Sequence, residues 1–201
     1  MDAVKRHIRL SMELVMCMVC AMAFGLAAVA VNFAPLFYGD DFAYSGTLMM
    51  PLAFTLLSIG FANVIRTQWV LPQGCDTIFV HSVLTGAVIN LIANFVLIPP
   101  FGAMGAAAAT VLAEFSVPAV QFVYLRKELP YAQYLKTTGV YCLFGLVMAG
   151  VVALLGHVLP LHGWGKLAVQ VTGGTAVYGA LCLTYWKLAK RSDIFRLMRR
   201  K

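Results

Sequence analysis

Val88-Ile89-Asn90-Leu91-Ile92-Ala93-Asn94-Phe95-Val96-Leu97-Ile98-Pro99-Pro100-Phe101-Gly102-Ala103-Met104-Gly105-Ala106-Ala107-Ala108-Ala109-Thr110 is an apolar run, a breaker and a second apolar run. Neighbouring prolines and a glycine are the strongest local signals for ending a regular element. The residues after the breaker, 102–109, carry almost no side-chain bulk, which lets two helix backbones approach closely. The stretch therefore reads as two membrane spans folded against each other in a tight hairpin, with the alanine-rich segment as a packing device.

Six segments reach the roughly 20 mainly apolar residues that a helix needs to cross the hydrocarbon. They cover about 12–37, 47–69, 78–98, 103–125, 138–159 and 166–187. The breaks between them carry turn chemistry: Tyr38-Gly39-Asp40-Asp41, Leu71-Pro72-Gln73-Gly74, Pro99-Pro100-Phe101-Gly102, Leu129-Pro130-Tyr131 and Pro160-Leu161-His162-Gly163. A basic segment, 188–201, follows the last span. Its cations alternate with Ile194, Phe195, Leu197 and Met198, a pattern that fits either a short amphipathic helix on an anionic leaflet or a solvated topology anchor.

Composition agrees with the spans. Of 201 residues, 61% are hydrophobic and 11% charged, and the mean hydropathy is +0.84. A soluble domain carries about 25% charged residues, so this chain cannot dress a water-facing surface, and no room is left for a soluble catalytic domain. The predicted fold class is all-α: a polytopic membrane protein forming a single transmembrane domain over 1–201. The first apolar run is too long for a signal-peptide core of about 7–15 residues and reads as a retained span.

The cations give the orientation. Lys5, Arg6, Arg9, Arg66, Arg126, Lys127, Lys136 and every cation from Lys187 onward fall on one set of helix ends. Lys166 stands alone on the opposite set, together with Asp40 and Asp41. By the positive-inside rule both termini are cytoplasmic, in a multi-pass protein of the cell inner (plasma) membrane. The net charge of +7 is thus a matter of topology. The charges flank apolar runs and form no patch with interleaved aromatics, so no nucleic acid is expected as a partner.

Inside the spans, polar residues fall on stripes. Ser82, Gly86, Asn90 and Asn94 recur every four residues on the third span. Thr110, Glu114 and Gln121 share a side of the fourth, continued by Ala103 and Ala107, and Thr55, Asn63 and Arg66 share roughly one side of the second. Two readings are open. Such residues line a hydrophilic cavity between helices, or they hydrogen-bond across packed helices as glue. Glu114 is the sharper case, since an unpaired charged carboxylate at the bilayer centre costs roughly 3 kcal/mol or more. It is protonated, paired with a cation (Arg66 being the nearest by span order) or wetted by a cavity. Arg66 itself could contact substrate or could snorkel to the cytoplasmic edge. Glu13, at that edge of the first span, has no partner that the sequence identifies.

No catalytic or metal-binding constellation is present in the pattern. His7, His81, His157 and His162 are scattered, and there is no nucleophile set, phosphate loop or H-E-x-x-H. Cys17 and Cys20 form a C-x-x-C, but no second such pair or suitably spaced histidine accompanies them. They read as buried, inert thiols. No cofactor and no enzymatic activity are expected.

The stretch from Gly60 to Pro72 (Gly60-Phe61-Ala62-Asn63-Val64-Ile65-Arg66-Thr67-Gln68-Trp69-Val70-Leu71-Pro72), with 88–110 and Glu114, resembles the C-terminal half of polysaccharide-repeat-unit flippases. These are the Wzx-like, RfbX-type oligosaccharide flippases of the MOP superfamily, related to MATE exporters and to lipid II flippases. The pattern N-x-x-x-N-x-x-x-I-P-x-x-G-x-x-G-A-A carries the resemblance. It covers about residues 8–134, and the last two spans match in topology alone. The resemblance implies a six-transmembrane-helix lobe of a MATE-like (MOP) transporter. Such a protein moves undecaprenyl-pyrophosphate-linked oligosaccharide from the inner to the outer leaflet in polysaccharide biosynthesis. Its lumen would be lined by Asn63, Arg66, Asn90, Asn94, Thr110, Glu114 and Gln121. Arg66 departs from the small residue that the pattern would place there. The partners implied are the lipid-linked oligosaccharide, the bilayer and a second lobe, supplied by a homodimer of this chain or by a separate N-terminal lobe. Two other readings stand beside this one: a MATE-like cation-coupled exporter of small molecules that uses Glu114 as its switch, and a truncated, non-transporting remnant.

Overall fold

The computed structural model describes residues 2–160 and 162–188; most of the basic segment, 189–201, lies outside the described residues. The described chain forms helices joined by short turns, as an apolar chain in lipid must to satisfy its own backbone groups. Helix α1 runs Asp2–Tyr38, α2 Ala43–Ala53, α3 Thr55–Ile65, α4 Asp76–Leu125, α5 Tyr131–Val158 and α6 Gly163–Leu188. A 3-10 turn, Asp40–Phe42, precedes α2, and a π-helical turn, Arg66–Val70, extends α3. Because α2, α3 and the π-helical turn run on from one another, five helical stretches among the described residues are long and apolar enough to cross a membrane.

Helix α1 is the hub. It packs on α2 and α3 on one side and on α5 and α6 on the other. Its buried stripe is Ile8, Met12, Met16, Cys20, Ala23, Ala30 and Ala34, all fully enclosed, at the three- and four-residue spacing of one helical face. Glycines on the neighbouring helices admit it. A Cβ on Gly46 would come 2.7 Å from the Ala30 carbonyl oxygen, and one on Gly145 would come 2.3 Å from the Phe24 ring. This is close packing through small residues, the main attraction left to helices surrounded by lipid.

Helix α4 lies at the side of this bundle, against α2 and α3. Its 50 residues contain one non-helical residue, Gly102, with φ 56° and ψ −133°. Three contacts place the arms on either side of it antiparallel. His81 Nδ1 and Tyr124 OH share a hydrogen bond of 2.9 Å. Further toward the turn, a Cβ on Gly86 would meet Val117 Cγ2 at 3.1 Å, and one on Gly105 would meet the Leu97 carbonyl oxygen at 2.1 Å. The pairs converge on Gly102. Within the expected break Pro99-Pro100-Phe101-Gly102, the two prolines are helical; proline's fixed φ is compatible with a helix, though each ring removes an N–H and crowds the carbonyl four residues back. The reversal falls on the glycine because only glycine enters that combination of φ and ψ at little cost.

Nothing lies within 4 Å of a Cβ added at Gly102, so Gly102→Ala isolates the backbone strain. It should cost about 1–3 kcal/mol, seen as a lower unfolding midpoint of the purified protein. An unchanged midpoint would contradict this turn geometry.

Candidate functional site

The two arms of α4 diverge from α3 over a cavity of about 670 Å³. From α3 and its π-helical turn come Asn63 and Arg66; from the first arm come Asn90 and Asn94; from the second come Thr110, Glu114 and Gln121. All seven residues singled out in the sequence therefore line one cavity. The regular stripes produce this convergence, because three helices turn their polar sides toward the same space while Phe79, Val83, Leu91 and Val117 complete its walls.

Two hydroxyls grouped with those stripes stand apart from the cavity. Ser82 is fully buried and donates to the Ile78 carbonyl at 2.6 Å. Thr55 donates to the Leu52 carbonyl at 2.7 Å. Each satisfies its hydroxyl on its own local backbone, as serine and threonine commonly do.

The asparagines hydrogen-bond to each other along their own helix. Asn94 Nδ2 donates to the Asn90 backbone oxygen and to Asn90 Oδ1, each at 2.9 Å. Thr110 donates to the Ala106 carbonyl at 3.0 Å. Each of these bonds stays within its own arm. The cross-helix polar contact at this site is Ser58 Oγ, which donates to the backbone oxygen of Glu114 and leaves the carboxylate out of the bond.

Arg66 sits at the first residue of the π-helical turn, where the Leu71 N–H reaches back five residues to the Arg66 carbonyl at 2.9 Å. Such turns widen the helix locally and recur at functional sites. Trp69 Nε1 pins the turn by donating to Glu128 Oε2 at 3.1 Å. The guanidinium lies 5.0 Å from the centre of the Phe79 ring, a cation–π distance. Its Nε is buried without a hydrogen-bond partner, and so is the amide oxygen of Gln121, a residue only 1% exposed. Buried polar atoms are paired in the large majority of cases, so the cavity holds unused donor and acceptor capacity. Arg66 and Glu114 both line it, with no ion pair between them.

Elsewhere the structure supplies what the sequence did not offer. Glu13 is fully buried and accepts from Tyr141 OH at 3.2 Å, and Trp186 Nε1 donates to that same Tyr141 oxygen at 2.8 Å. The carboxylate thus ties α1 to α5 across 128 residues of sequence, and the Tyr141 hydroxyl extends the link to α6. The C-x-x-C likewise has company: Cys17 faces Cys182 and Cys20 faces Cys142. Only helix register, which no local pattern encodes, brings these groups together.

A solved structure shares this fold. The lipid II flippase MurJ, in its inward closed conformation, matches with a TM-score of 0.77 and 16% sequence identity, over 92% of this chain and 40% of that one. No protein-family model and no curated protein matches the sequence. The chain is a multi-pass membrane protein whose helical fold is like that of this solved structure, and it spans less than half the length of the chain it matches. At 16% identity the likeness is one of fold, and it does not single out the Wzx-like branch.

Proposed function

We propose that this chain is one lobe of a flippase that carries a lipid-linked oligosaccharide, attached through undecaprenyl pyrophosphate, from the inner to the outer leaflet for surface polysaccharide biosynthesis. The observation that carries the reading is the convergence of seven polar residues from three helical segments on one cavity of about 670 Å³ in an otherwise apolar bundle. A space of that size suits a sugar–diphosphate head group, within the usual range of about 300–1,000 Å³ for ligand sites. Arg66 offers the phosphate a cation, and Asn90, Asn94, Thr110 and Gln121 offer amides and a hydroxyl to sugars. On this reading each arm of α4 crosses the membrane separately, which makes six crossings, and the cation distribution puts both termini in the cytoplasm of a plasma-membrane protein. A second lobe, either another copy of this chain or a separate one, would close the cavity's open side and permit alternating access.

In cells lacking the chain, leaflet-specific labelling should find the lipid-linked oligosaccharide retained on the inner leaflet. Unchanged outward delivery would reject the proposal.

One observation favours a second reading. Glu114 lines the cavity with no ion pair to Arg66, as a cation-coupled exporter of small molecules would require of its switch. Glu114→Gln should then abolish ion-coupled export while leaving the protein folded. Unaltered export by that variant would remove this version.

A further inference from the structure

Four of the five cysteines meet in two pairs on the far side of α1 from the cavity. Cys17 Sγ lies 3.6 Å from Cys182 Sγ on α6, and Cys20 Sγ lies 3.7 Å from Cys142 Sγ on α5. The three-residue spacing of Cys17 and Cys20 lets one face of α1 address two different helices at neighbouring depths. All four thiols are free. Among the described residues no three metal-binding side chains gather; the Tyr178 hydroxyl lies beside the first pair, donating to the Cys17 backbone oxygen at 2.7 Å.

Burial is asymmetric within each pair. Cys17 and Cys142 are half-buried, whereas Cys182 and Cys20 are enclosed, at 3% and 0% exposure. Cys142 also lines an apolar pocket of about 390 Å³ between α3, the second arm of α4 and α5. A small neutral oxidant could reach one sulfur of a pair while the other waits behind it. That is the arrangement of an oxidisable thiol with a resolving partner.

We propose that Cys17–Cys182 and Cys20–Cys142 are a paired thiol-oxidation site, at which a peroxide converts each pair to a disulfide and so fastens α1 to α6 and to α5. The half-buried sulfur attacks one peroxide oxygen. The O–O bond breaks, and the thiol proton leaves with the second oxygen as water, giving a sulfenic acid. The enclosed sulfur then displaces that hydroxyl: the S–O bond breaks, the S–S bond forms, and the second thiol proton leaves in a second water. Two thiols are oxidised and one peroxide is reduced to two waters per pair. Closing the gap to the disulfide length of about 2.05 Å takes side-chain rotation and a small approach of helices already in contact. A dithiol reductant reverses the change by exchange.

The test is peptide mapping of the full chain in membranes after brief hydrogen peroxide treatment and alkylation, without reduction. Peptides joined through Cys17–Cys182 and Cys20–Cys142 should predominate and disappear with dithiothreitol. Cys75, which lies before α4 away from the other four thiols, should remain alkylated. Cys182→Ser should remove the first link and keep the second, and Cys142→Ser should do the reverse. Full alkylation of the four thiols after oxidation would overturn the proposal, and so would a predominance of other pairings.

Discussion

Replacing Arg66 with alanine should lower outward delivery of lipid-linked oligosaccharide by about 10- to 100-fold in cells that depend on this chain. The figure follows from the contact at stake. A hydrogen bond to a charged group is worth roughly 1.5–3 kcal/mol, or about one to two factors of ten in an equilibrium constant. Arg66 is suited to that contact because its Nε is buried and unpartnered while its guanidinium is held against Phe79. The donor is therefore positioned before any phosphate arrives, which reduces the ordering cost of binding. Lysine should restore part of the loss: it returns the charge but not the planar fork or the stacking on the ring. If Arg66 merely snorkels to the cytoplasmic edge, Arg66→Ala will leave delivery unchanged at normal protein levels.

The second large effect belongs to the hairpin. Gly105→Leu should prevent the arms of α4 from closing, because even a Cβ at that position would stand 2.1 Å from the Leu97 carbonyl oxygen. The obstacle is backbone, which cannot rotate aside as a side chain would. Overpacking of this kind costs about 3 kcal/mol or more. The purified variant should melt well below the parent or elute as aggregate, and an unchanged melting temperature would contradict the antiparallel arms. Gly165, with open space around its absent Cβ, should tolerate alanine and serves as the control.

The two glycines show how far the sequence could be read. Composition and the small-residue run made the hairpin legible, since lipid leaves a chain few alternatives to helices and lets small residues mark where they touch. The break reads from the sequence as Pro99-Pro100-Phe101-Gly102 as a whole; within it the prolines stay helical and Gly102 makes the reversal, which breaker residues side by side do not distinguish. The polar stripes were legible because they obey a helical period on each span, and a period is local information; it leaves open whether they line a cavity or bridge helices. Thr55 and Ser82 share the period but spend their hydroxyls on local carbonyls, a choice that spacing does not reveal. Glu13 with Tyr141, and the thiol pairs, were beyond reach for a different reason. Their partners lie 122–165 residues away in sequence, and the register of one helix against another is decided by the packing of whole faces. The π-helical turn at Arg66 belongs with these, since no residue type specifies it.

The likeness to a flippase extends over 92% of this chain, and the site's own chemistry determines what that fold would carry. The measurement that tests this most directly is native mass spectrometry of the purified chain titrated with a polyprenyl-diphosphate oligosaccharide in the presence of excess ordinary phospholipid. The diphosphate lipid should be retained selectively, and Arg66→Ala should weaken that retention about tenfold or more. Equal retention of both lipids, or retention that Arg66→Ala does not change, would contradict this expectation.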